Sequence, residues 1–158
     1  MLKITILTVG KLKERYWAEA EAEYIKRLSS DIQLEFKELK EEAFDKKSNV
    51  EIIKEKEAEK IKKVLEKKEG YIVALNGTGK QFSSTNFAKH LVNLTNNQIS
   101  HIIFVIGGPL GLDKSIVKLA DLQLSLSNLT FPHQMVRTIL LEQIYRAFTI
   151  IKGKQYHY

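Results

Sequence analysis

The residues whose types and spacing could do chemistry lie in the last third of the chain. An apolar run, His101–Ile106, ends in Gly107-Gly108-Pro109-Leu110-Gly111-Leu112. It is followed by Leu126-Ser127-Asn128-Leu129-Thr130-Phe131, and then by Pro132-His133-Gln134-Met135-Val136-Arg137. Glycines directly after a strand let backbone approach a ligand closely. His133 and His157 have an ordinary pKa of about 6.5 and could exchange a proton near neutrality. Arg137 and Arg146 could hold an anion. The chemistry this set would support is binding of a small ligand on backbone groups, with proton transfer and charge stabilisation beside it. Each feature also has a plainer reading. The glycines can serve a tight strand-to-helix turn, and the histidines can be structural. Either arginine can pair with Glu142, which lies near both along a helix.

The motifs that are missing narrow the ligand. The glycine loop lacks the G-x-x-x-x-G-K-[ST] order of a phosphate-binding loop and does not fit G-x-G-x-x-G, which weighs against ATP, GTP and NAD. The chain has no cysteine and four histidines. No H-E-x-x-H spacing occurs among them, so no metal is expected. Neither disulfides nor thiolate chemistry is available, and a reducing cytoplasm is the simplest location.

Positioning such loops requires a sheet, and strand and helix signals alternate along the whole sequence. Ile4–Val9 reads as a first strand rather than a signal peptide. Lys13–Leu28 is an amphipathic helix with Trp17, Ala20, Tyr24 and Leu28 at helical spacing, and Ile32–Leu39 is a half-exposed strand. Ser48-Asn49-Val50-Glu51 has the form of a capping box opening a long charged helix. Its inner stripe is Ile52, Ile53, Ile61 and Val64-Leu65, and Gly70 is its stop. The mixed charges of that helix read as a solvated face. Tyr71–Leu75 suits an interior strand ended by a turn at Asn76-Gly77-Thr78-Gly79-Lys80, with a helix over Ser84–Asn96. The uninterrupted apolar run of His101–Ile106 belongs to a strand covered on both faces. Asp113 caps a short helix, Leu122–Leu126 is another strand, and Pro132–Ile151 is the last long helix, with Thr130 as a possible capping oxygen. That helix is apolar nearly all round, which calls for a cover besides the sheet, most economically a second subunit.

This order predicts an α/β fold, a mainly parallel sheet flanked by helices, in one domain over residues 1–158. A chain of 158 residues can bury a substantial core, and its apolar runs are too short to span a bilayer. The net charge of +6 is uneven: residues 1–70 carry 17 Lys/Arg against 16 Asp/Glu, residues 71–158 carry 8 against 3. The basic surplus therefore surrounds the glycine loop, where it would favour a polyanion such as RNA.

Taken together, Ile106-Gly107-Gly108-Pro109-x-Gly111-Leu112, the run Leu126–Phe131, Pro132-His133-x-x-Val136-Arg137, Glu142-Gln143-x-Tyr145-Arg146-Ala147 and Tyr156-His157 resemble the RlmH family of SPOUT-class ribosomal RNA large-subunit methyltransferases. The resemblance runs from Ile4-Thr5-Ile6-x-x-Val9-Gly10 to the last residues. It implies a C-terminal trefoil knot, a homodimer, and S-adenosylmethionine as methyl donor with no metal. The donor-binding positions it implies are Leu75, Gly107, Gly108, Leu126, Ser127, Asn128, Leu129, Thr130 and Phe131. The implied reaction is transfer of a methyl group to N3 of a pseudouridine in 23S rRNA; the small size and modest charge of the chain lead us to expect that it reads the shape of assembled ribosomes. His133, Arg137, Tyr156 and His157 are the catalytic candidates, His157 as general base and an arginine as anion stabiliser. A ribosome- or RNA-binding protein that keeps the fold without catalysis is the alternative. The chain departs from the family pattern at Leu110, where relatives often carry a polar residue, and at Tyr158, where many carry a basic one.

Overall fold

The computed structural model describes residues 1–156. Five parallel strands alternate with five helices: β1 (Leu2–Val9), α1 (Arg15–Leu28), β2 (Ile32–Leu39), α2 (Val50–Leu65), β3 (Tyr71–Lys80), α3 (Ser84–Asn96), β4 (His101–Ile106), α4 (Lys114–Leu119), β5 (Leu122–Leu124) and α5 (His133–Ile151). The strands form one sheet in the order β2-β1-β4-β3-β5, every pairing parallel.

The alternation along β4 explains why the sheet needs helices on both faces. Ile102, Phe104 and Ile106 join Ile4, Ile6, Leu91, Leu140 and Ile144 in a core built with α1, α3 and α5. Ile103 and Val105 point the other way and join Leu7, Val9, Ala58, Ile61 and Ile116 under α2 and α4. Such a strand reads as a continuous apolar run because neither face meets water. Phe104 is fully buried at the centre, where truncation to alanine would cost about 3–5 kcal/mol.

Several local expectations give way to specific contacts. The N-cap of α2 is Asn49, whose side chain accepts from the N–H groups of Glu51 and Ile52, while Ser48 donates to Asp45. Ile52 faces outward, 48% exposed, and the buried stripe is Ile53, Glu57, Ala58, Ile61 and Leu65. The helix stops at Leu65, before Gly70. Asn76–Lys80 is not a closing turn. It continues β3 as a bulge, Leu75 and Lys80 both registering with Leu124. Gly79 is required there, since a Cβ would sit 2.6 Å from the Gln123 carbonyl oxygen. β5 ends at Leu124, two residues early, because the chain then turns across the strand ends. No side-chain cap bonds the start of α5, so Thr130 does not cap it.

Candidate functional site

Every strand points its carboxyl end to the same edge of the sheet, the edge where loops converge on ligands in open α/β folds. There the loops after β3, β4 and β5 enclose a cleft of about 450 Å³. All nine residues expected to hold a donor, Leu75, Gly107, Gly108 and Leu126 to Phe131, line it together with His133. Leu110 does not line it. Asn76, Gly77, Pro109, Gly111, Leu112 and Val136 do. Of these, Asn76-Gly77 had the appearance of a turn, and no local signal in the sequence distinguishes a bulge from one.

The loop after β4 is held shut on itself. Gly111 donates its N–H to the Gly108 carbonyl at 3.0 Å and has φ +84°, and a Cβ on Gly107 would lie 2.8 Å from the Gly111 carbonyl carbon. The turn itself thus demands both glycines, and the turn faces the cleft. The wall opposite is the segment after β5. Ser125 donates its N–H to Lys80 O at 2.9 Å and its hydroxyl reaches Gly77 O at 3.1 Å, while the Gln81 side-chain amide donates to Asn128 Oδ1 at 3.0 Å. Leu129, 75% exposed, stands at the rim.

His133 opens α5 at the edge of the cleft, and its Nε2 is buried with no hydrogen-bond partner among the described residues. Gly10, at φ +94° after β1, faces it. A Cβ there would come 3.3 Å from Glu41 Oε2 and 4.0 Å from His133 Nε2. Glu41 is in turn paired with Lys13 at 3.0 Å. His133 thus stands at the edge of a cleft lined by apolar side chains, by backbone and by the polar side chains of Asn76, Ser127, Asn128 and Thr130.

Arg137 stands one turn further along α5, outside the cleft. Its Nε and Nη2 each meet a Glu21 carboxylate oxygen at 2.7 Å, and its Nη1 meets Glu38 at 2.6 Å. The expected partner, Glu142, lies with Arg146 instead, at 2.6 Å. Glu21 and Glu38 come from α1 and β2, too distant in sequence for helical spacing to reveal. Burial pushes the Glu21 carboxyl above its usual range, against the lowering effect of Arg137.

Tyr156 docks against the middle of α5. Its hydroxyl donates to Glu142 at 3.1 Å and its ring packs edge-on to Tyr145 at 4.9 Å. Glu142 is nine residues up α5 from His133, roughly 14 Å along the helix axis, so one chain does not bring Tyr156 to its own cleft. His157 and Tyr158 lie outside the described residues. Behind the Leu124–Leu126 wall is a second cavity of about 320 Å³, bounded by Phe82, Phe87, Ile139 and Gln143.

The family model described as "Predicted SPOUT methyltransferase" matches residues 2–157. The chain belongs to this family. It is 48% identical over 159 residues to a protein of Ruminiclostridium cellulolyticum named ribosomal RNA large subunit methyltransferase H, covering 99% of both chains. The protein of the same name from Caldicellulosiruptor saccharolyticus is 50% identical, over 98% of this chain and 99% of that one. Membership of the ribosomal RNA large subunit methyltransferase H group of SPOUT methyltransferases, implied by the sequence motifs, is therefore shown. The fold is likewise similar to a solved structure, that of a probable methylase family protein from Haemophilus influenzae. The TM-score is 0.58 at 12% identity, over 99% of this chain and 70% of that one.

Proposed function

We propose that the protein is a ribosomal RNA large-subunit methyltransferase. In this reading the cleft at the ends of β3, β4 and β5 takes S-adenosylmethionine, and the methyl group passes to N3 of a pseudouridine in 23S rRNA on assembled ribosomes. The observation that carries it is the convergence of Leu75, Gly107, Gly108 and Leu126–Phe131 on one cleft with His133 at its edge. The residues suit the donor. Backbone carbonyls and N–H groups around Gly107 and Ser127–Phe131 would receive its amino-acid and ribose groups. Leu75, Leu126, Leu129 and Phe131 would cover the adenine. Among the described residues no lysine or arginine lines the cleft.

When bound, S-adenosylmethionine supplies an electrophilic methyl group. The acceptor nitrogen loses its proton, forms the new N–C bond as the C–S bond breaks, and leaves S-adenosylhomocysteine. His133 is placed to orient that acceptor or to hold its proton, with Glu41 and Lys13 behind it. His157 is the other candidate base and Tyr156 a substrate contact. Arg137, with three bonds to two carboxylates, would act by fixing the start of α5 and hence His133.

A homodimer accounts for two further features. The outward face of α5, with Met135, Ile139 and Gln143, is only half-buried in one chain. Tyr156 can serve a cleft only if that cleft belongs to a second copy. The C-terminal trefoil knot is part of the same reading. It is supported by membership of the SPOUT family. The cytoplasmic location follows from a ribosomal substrate.

The test is single-turnover transfer of labelled methyl to intact ribosomes and to free rRNA stem-loops, with the modified nucleoside identified by mass spectrometry. N3-methylpseudouridine formed on ribosomes, and poorly on free stem-loops, is expected. Equal rates on both would overturn the assembled-ribosome assignment. Donor binding without label in any rRNA would favour a non-catalytic binding protein.

A further inference from the structure

Glu142 gathers three side chains, Tyr24, Tyr156 and Arg146, at one carboxylate. Its Oε2 accepts the Tyr24 hydroxyl of α1 at 2.6 Å and the Tyr156 hydroxyl at 3.1 Å, and its Oε1 accepts Arg146 Nη2 at 2.6 Å and Nε at 3.0 Å. The Arg146 guanidinium lies 4.8 Å from the centre of the Tyr156 ring, and Arg27 sits over both Tyr24 and Tyr145 at 5.6 and 5.5 Å. These rings and cations leave Tyr156 few alternative positions.

The backbone is shaped for the same docking. Gly153 adopts φ +66° immediately after α5, donating to Ile150 O, and Lys154 donates to Thr149 O, the paired bonds that end a helix in a left-handed turn. That turn sends the chain back along α5, so that Tyr156 meets Glu142 fourteen residues earlier in sequence. Both tyrosine hydroxyls are pushed up from their ordinary pKa of 10.0, by burial first and then by hydrogen bonding to Glu142, so each is held as a donor.

We infer that Glu142 is the positioning residue of the C-terminal tail: through the Tyr24–Glu142–Tyr156 clamp it fixes where Tyr156 sits. This rests on the reading that tail residues take part in methyl transfer. Glu142 itself touches neither donor nor RNA in this account. Its effect on the reaction passes through Tyr156.

The experiment compares the full chain with Glu142→Ala, Tyr156→Phe and the double variant in three readouts. These are backbone hydrogen exchange over residues 152–156, affinity for S-adenosylmethionine, and single-turnover methyl transfer to ribosomes. Tyr156→Phe removes only the clamp hydroxyl and leaves the Glu142–Arg146 pair intact, so it reports even if Glu142→Ala is poorly folded. The loss of a hydrogen bond to a charged group should speed tail exchange about tenfold in either variant. Donor affinity should stay within about twofold, transfer should fall at least about tenfold, and the double variant should be no worse than the worse single one. Unchanged tail exchange in both single variants would overturn the clamp. Independent, multiplying losses of transfer would overturn positioning, since they would mean that Tyr156 and Glu142 act separately. Failure of the wild-type protein to transfer any methyl group would sink the methyltransferase reading instead, and the exchange data alone would still decide the clamp.

Discussion

Arg137 and Glu21 meet as two parallel bonds, Nε to Oε2 and Nη2 to Oε1, both 2.7 Å and both buried. The pair ties the first helix to the last one directly behind His133, and so couples the stability of the fold to the geometry of the cleft edge. Its second carboxylate, Glu38, is 34% exposed and adds the third bond.

Replacing Arg137 by methionine should therefore act on stability. Removing one partner strands a buried carboxylate, at a cost of about 3–5 kcal/mol, readable as a lower urea midpoint at unchanged slope. The double variant Arg137→Met with Glu21→Leu should recover most of that loss. A single variant that keeps wild-type stability and loses only methyl transfer would return Arg137 to a direct role in the reaction.

The glycine loop separates fold from ligand. Gly107→Ala forces a Cβ against the Gly111 backbone, so both thermal stability and donor affinity should drop, the affinity by at least about tenfold. Gly77→Ala meets no atom within 4 Å, yet Gly77 lines the cleft. Its stability should stay within about 0.5 kcal/mol of wild type while donor affinity falls. A fall in stability with unchanged affinity would contradict the cleft as the donor site.

Acid should weaken the protein through Glu35. Hydrogen bonds from Lys3 and Lys68, both at 2.9 Å, hold its carboxyl down from 4.5 to about 2. A carboxylate whose pKa is lower in the folded chain stabilises above its unfolded value and loses that contribution as pH falls through the folded one. Stability should thus decline between pH 4.5 and 2, and Glu35→Gln should flatten this part of the urea-midpoint profile. Burial together with Lys80 lowers the pKa of His90, which adds a decline of the same sign below its ordinary 6.5.

Subunit mixing tests whether a cleft is completed by the tail of another copy. His133→Ala and Tyr156→Phe should each be slow alone. Unfolded together and refolded, they should form mixed dimers in which one cleft is wholly intact, restoring about a quarter of wild-type transfer. No recovery would mean that cleft and tail act within one chain.

What the sequence revealed followed the range of the forces involved. β2, β4 and α3 have the bounds read from periodicity, because burial on one or two faces writes itself into alternation at every residue. The donor positions were legible only through the family resemblance, since glycines after a strand and a short polar run before a helix serve a turn and a helix start equally well. Contacts between distant segments were not. Arg137 had a nearer candidate on its own helix, yet its partners are Glu21 and Glu38. The Asn49 cap shows the limit even at short range, since Ser48 and Asn49 are both good caps and only the bond from Ser48 to Asp45 decides between them.

The measurement that bears most directly on the central claim is calorimetric titration of the purified protein with S-adenosylmethionine, with S-adenosylhomocysteine, NAD and ATP as competitors, repeated on Gly107→Ala. The account predicts saturable donor binding that S-adenosylhomocysteine displaces, that NAD and ATP leave untouched, and that Gly107→Ala weakens at least about tenfold. An absence of donor binding by wild type, with and without ribosomes, or equal affinity in Gly107→Ala, would contradict it.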